Sequence, residues 1–257
     1  MGLIFSILLL GLVLGSLANT FIYRIPLSFY PDKKTSSNFK LLGTRSRCTS
    51  CEEIIPIYLN IPVVSYLYLK GKCRFCNKPI SLIYPIIEIS TACIFLLIYL
   101  KIGINTFFFF YATFFTLLLI SSAIDIRHRI LPNSINYILI ITGILGSYFF
   151  GLINIYDSLI GGASGYLIIF IIEKVYKLIY KKDGIGRGDA KLLSAIGFWF
   201  GWLNLPIILF VSSSLGLLFV FIQKFMTKSS DKNILEFKIP FGPFLSLSAL
   251  FLFLNSS

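Results

Sequence analysis

This sequence predicts an all-α, polytopic membrane protein of about eight transmembrane helices, with one small polar, cysteine-bearing segment after the first helix. Three observations carry the prediction. Hydrophobic residues make up 56% of the 257 and charged residues only 13%, where a soluble domain is usually about 25% charged. Mean hydropathy is +0.86, and the apolar residues fall in long blocks instead of an amphipathic period. Lys and Arg are concentrated in alternate gaps between those blocks.

A helix needs about 20 apolar residues to cross a bilayer. Suitable blocks lie at 2–20, 82–100, 105–123, 135–150, 158–178, 190–202, 205–223 and 240–254. The block at 190–202 is short, and only the Trp202-Leu203-Asn204-Leu205-Pro206 break separates it from the next. The predicted organisation is a first transmembrane helix at 1–20, a polar segment at 21–81 and a seven-helix membrane domain at 82–257.

The net charge of +12 raises nucleic acid as a partner, but its distribution argues for a membrane. With the segment after the first block in the cytoplasm, the cytoplasmic stretches are 21–81, 124–134, about 174 to 191, and 224–239. They hold 22 of the 23 Lys and Arg residues, leaving Lys101 outside. This asymmetry predicts an N-terminus-out orientation in a cytoplasmic membrane, with lipid and not nucleic acid as the surrounding partner. The first block lacks a basic residue ahead of it and has Arg24 after it, the pattern of a retained reverse anchor more than of a cleaved signal. The myristoylation-like start Met1-Gly2-Leu3-Ile4-Phe5-Ser6 is read as chance, because an N-out helix start is out of reach of a cytosolic acyltransferase.

The polar segment carries Cys48, Cys51, Cys73 and Cys76 as C-x2-C-x21-C-x2-C. Two such knuckles supply the four thiolates of a structural zinc site. A pair of disulfides is the alternative, disfavoured in a reducing compartment. About 60 residues with few large apolar side chains build little core, so metal would supply folding energy. Four protein thiolates leave no open position for a catalytic water. Cys93, inside the block at 82–100, is expected as a buried small apolar residue.

Two aspartates lie just inside one face of the membrane. Asp125 ends one block and Asp189 opens another; the two blocks between them go out and come back, so both carboxylates return to the cytoplasmic side. A carboxylate at the edge of hydrocarbon is a functional-site candidate, and two at one depth suggest a pair sharing a proton, as in an aspartic protease. Gly184, Gly186 and Gly188 precede Asp189, and such a loop would let an extended substrate approach the backbone. The plainer readings are an N-cap for Asp189 and a solvated helix end for Asp125. Glu88, about two turns into its block, either has a functional role or satisfies a neighbouring helix. His128, the only histidine, sits between two arginines and reads as an interfacial polar residue. There is no Gly-x-Ser-x-Gly elbow, His-Glu-x-x-His or Walker lysine.

Taken in order, these residues resemble a type IV prepilin leader peptidase, a membrane aspartic protease with a Gly-x-Gly-Asp motif. The resemblance runs through Gly11 to Asn19 and Arg24-Ile25-Pro26, then Arg45-Ser46-Arg47-Cys48, Asn60-Ile61-Pro62, Ser65 and Gly71-Lys72-Cys73. It continues in Ile80 to Pro85, Glu88, the two aspartate motifs and Pro240-Phe241-Gly242-Pro243-Phe244. It implies cleavage of prepilins or pseudopilins after a glycine at the cytoplasmic face, with Asp125 and Asp189 catalytic. It also implies N-methylation of the new amino terminus with S-adenosylmethionine, for which the chain shows no glycine-rich strand-loop-helix fingerprint. Three positions depart from the family's habit: Asp183 where Glu is frequent, Asn133 where Asp is common, and Thr49 where Pro is common. The competing readings are a non-enzymatic, zinc-stabilised membrane scaffold and a presenilin-like intramembrane protease.

Overall fold

The computed structural model describes residues 2–29, 45–181, 186–226 and 239–256. Asp183 and Gly184 lie outside them. Among the described residues the chain is helical: α1 (Gly2–Phe29), α2 (Val64–Tyr68), α3 (Ile83–Ile102), α4 (Thr106–His128), α5 (Asn133–Phe150), α6 (Ile155–Tyr180), α7 (Arg187–Phe200), α8 (Leu205–Met226) and α9 (Gly242–Asn255). Two isolated β-bridges are the nearest approach to a sheet. All eight apolar blocks are helical, and six helices are long and apolar enough to cross a membrane: α1, α3, α4, α5, α6 and α8. α7 and α9 have 14 residues each. At 1.5 Å per residue each covers about 21 Å, less than the roughly 30 Å hydrocarbon layer. The chain divides into two compact units, Met1–Ile120 and Ser121–Ser257, with the division inside α4.

In the first unit α1 packs on α3. Ile7, Gly11, Gly15, Ala18, Asn19, Ile22 and Pro26 form one buried stripe. The stripe continues past residue 20, so the helix runs to Phe29, nine residues beyond the predicted block. The two glycines let the backbones meet: a Cβ on Gly11 would come to 2.6 Å from Ala92 Cα, and one on Gly15 to 2.7 Å from Glu88 Cα. This is the small-x3-small contact of membrane helices, where dispersion and close approach replace a hydrophobic drive. Pro85 sits in the first turn of α3, where its missing N–H costs nothing. Phe95 of α3 meets Phe108 of α4 edge to face at 5.9 Å. Cys93 points out of the bundle and is exposed, against the expectation of burial. A small apolar side chain faces lipid as readily as core, so hydrophobicity alone cannot place it.

In the second unit α7 is enclosed by α5, α6 and α9, and Leu192, Leu193, Ala195, Ile196 and Trp199 are fully buried. A Cβ on Gly197 would strike Gly161 O at 2.2 Å, and one on Gly161 would strike Gly197 O at 2.3 Å, so α6 and α7 touch through bare backbone. Hydroxyls bind carbonyls across that contact, Ser158 to Phe198 O and Ser194 to Gly162 O, both at 2.7 Å. The Trp199 indole N–H donates to Leu139 O of α5 at 2.8 Å, and Gly143 leaves room for the ring. α7 stops at Gly201 (φ 78°), and a 3-10 turn over Trp202–Asn204 leads into α8. A short helix buried on most sides is what fixes the position of Asp189 within the second unit.

Candidate active site and metal centre

Asp125 lies in the last turn of α4 and is 6% exposed. Its Oδ2 accepts the Gly242 N–H at 2.9 Å, at the first residue of α9. The carboxylate therefore meets the positive end of a helix and one of its unpaired amides. A Cβ on Gly242 would fall 2.9 Å from Asp125 Oδ2 and 3.1 Å from Leu131 Cδ2, so glycine is required by close approach.

Asp189 is the third residue of α7, and Gly186, not Asp189, caps that helix. The Asp189 N–H donates to Gly186 O at 3.0 Å, and the Asp189 side chain turns back toward Gly186: a Cβ there would lie 3.3 Å from Oδ2. Gly186 has φ −77°, so extended backbone rather than a left-handed turn leads into the helix. The space beside Gly188 is taken by Leu131, whose Cβ would stand 2.9 Å from an added methyl. Leu131 thus touches both Gly188, one residue from Asp189, and Gly242, the amide partner of Asp125. The two carboxylates are close enough that the charge of Asp125 acts on Asp189.

Around this pair, Lys191 Nζ donates to Asn133 Oδ1 at 2.7 Å and lies 5.8 Å from the centre of the Tyr137 ring. Arg187 Nε stands 3.7 Å from Glu173 Oε1, tying the start of α7 to α6. His128 is exposed.

Glu88 belongs to the first unit. It is 7% exposed, and its Oε2 accepts the Val63 N–H at 2.8 Å. The Ser16 and Asn19 side chains of α1 lie beside its carboxylate, and Asn19 Nδ2 donates to Tyr84 O at 3.0 Å. Val63 is held at φ 60°, a costly conformation for a β-branched residue.

The four cysteines converge: their Sγ atoms all lie within 4.8 Å of one another, with Cys48 and Cys76 at 3.9 Å and no disulfide. Thiolates at zinc–sulfur distance in a tetrahedron stand roughly 3.8 Å apart, so the donor set fits zinc. The two knuckles share one geometry. Cys48 N–H donates to Glu53 O and Glu52 N–H to Cys48 O; Cys73 N–H donates to Lys78 O and Asn77 N–H to Cys73 O. Glu52 (φ 60°) and Asn77 (φ 56°) make the same left-handed step after the second cysteine. Burial opposes ionisation of Cys48, but the Ser50 and Cys51 amides and the Cys51 and Cys73 thiols outweigh it and bring its thiol down to about 6. At Cys51 the Glu53 amide favours the thiolate, yet burial and the neighbouring sulfurs prevail and push it up to about 12. One anion crowding the ionisation of the next is the electrostatic problem that a dication resolves.

Both aspartates, Gly186 and Gly188, Glu88 and the four cysteines were named from the sequence. It did not assign roles to Gly242, Leu131, Ser16 or Asn19. The available signal for Gly242 was a glycine before proline at the start of the last apolar block.

The bacterial peptidase A24 N-terminal domain matches residues 9–102, and the type IV leader peptidase family matches residues 112–221. The prepilin leader peptidase/N-methyltransferase of Dichelobacter nodosus is 34% identical over 276 residues, covering 98% of this chain and 91% of that protein. Those of Aeromonas hydrophila (94% of this chain, 87% of that protein) and Neisseria gonorrhoeae (95% and 87%) are each 32% identical over 258 residues. No solved structure matches.

Proposed function

Because this chain belongs to the type IV leader peptidase family, we propose that it cleaves prepilins or pseudopilins after a glycine at the cytoplasmic face, using Asp125 and Asp189 as an aspartic dyad. The observation that carries the reading is the buried Asp125 carboxylate, held by the Gly242 amide beside Leu131, which also fills the space against Gly188, the neighbour of Asp189. Two neighbouring carboxylates favour sharing one proton. The ionised partner takes a proton from water, and the hydroxide attacks the scissile carbonyl while the protonated partner donates a hydrogen bond to its oxygen. The tetrahedral intermediate collapses as the leaving amine is protonated from the dyad. No covalent intermediate is required, and titration belongs to the pair.

The N-out orientation follows from the positive charge between the blocks; the reading of eight crossings counts α7 and α9 as short helices that cross where the bilayer thins locally. The 21–81 segment is read as a module in which Cys48, Cys51, Cys73 and Cys76 hold structural zinc, whose role is to fold the segment. Glu88 pins that segment to α1 and α3 through the Val63 amide. N-methylation with S-adenosylmethionine rests on kinship with the named relatives; among the described residues no strand-loop-helix turn offers a cradle for such a cofactor.

The test is mass spectrometry of a prepilin peptide incubated with the purified protein and S-adenosylmethionine, beside Asp125→Ala and Asp189→Ala. A cut after the glycine, lost in both variants, supports the dyad, and an added methyl group supports the second activity. An uncut peptide with folded protein defeats the reading, and a cut inside the apolar helix transfers it to the presenilin-like class.

A further inference from the structure

Resting on the dyad reading above, we infer that Ser122 and Ser246 are positioning residues for Asp125, acting through the N-terminus of α9. Ser122 and Asp125 are three residues apart on α4 and share a face. Gly242 and Ser246 are four apart on α9 and share a face as well. The two faces are joined at two points. Asp125 Oδ2 accepts the Gly242 N–H at 2.9 Å, and one turn away Ser122 Oγ lies 2.8 Å from Ser246 Oγ. Ser246 Oγ in turn donates to Gly242 O at 2.9 Å. The Gly242 residue is therefore gripped at both ends: its N–H on the aspartate, its C=O on the serine that the aspartate's own helix holds.

The Ser122–Ser246 hydrogen bond ties the two helices side chain to side chain in a half-buried setting, and removing either hydroxyl breaks that tie. Ser122 is 7% exposed, and its neighbour Ser121 is fully buried. The link therefore sets the register of α9 against α4. The Gly242 amide must reach one oxygen of Asp125 without intruding on it, and there is no slack, since even a methyl group at Gly242 would lie 2.9 Å from that oxygen. An error of about 1 Å in a catalytic group costs on the order of 100-fold in rate. A partial loosening through one lost hydroxyl is accordingly expected to cost about 10-fold.

The experiment measures peptide cleavage by the full-length protein in detergent for wild type, Ser122→Ala, Ser246→Ala, Ser122→Ala with Ser246→Ala, and Ser246→Thr, with Asp125→Asn as the inactive control. The expected result is a kcat lowered about 10-fold in each single alanine variant with KM unchanged, no further loss in the double variant, and recovery in Ser246→Thr. Non-additivity of the pair is the signature of one shared link. Wild-type kcat in both alanine variants, or a fall confined to KM, overturns the inference while leaving the dyad intact. Should Ser246→Ala fail to fold, Ser122→Ala and Ser246→Thr still decide it. An inactive wild type would instead remove the dyad reading itself.

Discussion

The two cysteine knuckles repeat one local pattern and one backbone geometry, whereas the aspartate site repeats nothing. Each knuckle is made within about seven consecutive residues, with the same pair of backbone hydrogen bonds and the same left-handed step. The aspartate site draws Asp125 from the end of α4, Leu131 from the link to α5, Gly186 to Asp189 from the start of α7 and Gly242 from the start of α9. A metal module can be local because the ion does the joining. A carboxylate pair has no such centre, so the helices around it must hold two like charges near one another. They do so with the Gly242 amide, the first turn of α7 and the Leu131 wedge.

The sharpest way to break the comparison is to remove a carboxylate. Asp125→Ala or Asp189→Ala is expected to lower kcat for peptide cleavage by roughly 10³-fold or more, with zinc content and helicity unchanged; a residual rate near wild type would show that the aspartate site does no chemistry. Next comes Gly242→Ala, whose methyl group would lie 2.9 Å from Asp125 Oδ2. Displacement on that scale is expected to cut kcat by about 10²-fold, measured with the same peptide, while the cysteine segment keeps its hydrogen-exchange protection. Chelation, or Cys73→Ser, is the opposite test. Residues 45–81 should lose protection and zinc should leave by elemental analysis, while cleavage slows by less than about 10-fold; a cleavage loss as large as that of Asp125→Ala would mean that the two sites are not separable.

Glu88→Ala strands the Val63 amide in the first unit and removes the carboxylate beside Asn19 and Ser16. It should destabilise the protein by roughly 1–3 kcal/mol, read by denaturant unfolding in detergent, with kcat for cleavage within about threefold of wild type. A specific loss of methyl transfer at full stability would move Glu88 from anchor to reactive group. The smallest effect is expected from Asn133→Asp. It gives Lys191 a charged partner in place of a neutral one and should raise stability by about 0.2–1 kcal/mol, seen as a small rise in Tm that fades with salt.

Cys48 to Cys76 were legible because ligand spacing is a local code. Asp125 and Asp189 were legible for a different reason: carboxylates stand out against apolar blocks, and the even number of blocks between them predicts one face. Gly242 was visible as a residue and not as a partner, because its use depends on α9 returning to the end of α4. Cys93 was misplaced because the lipid-facing and core-facing sides of a membrane helix differ little in hydrophobicity.

What this sequence determined by itself is the membrane class, the helical blocks, a cysteine set spaced for a metal and the two acidic positions, all of which are properties of composition, period and spacing. Only the tertiary structure decided that Gly11 and Gly15 seat α1 on α3, that Glu88 is consumed by Val63 and α1, and that α9 delivers an amide to Asp125. Those outcomes depend on close approach between segments up to 117 residues apart. In a chain that is apolar nearly throughout, contact is selected by small residues and scarce polar groups, which reveal their partners only once the helices have packed.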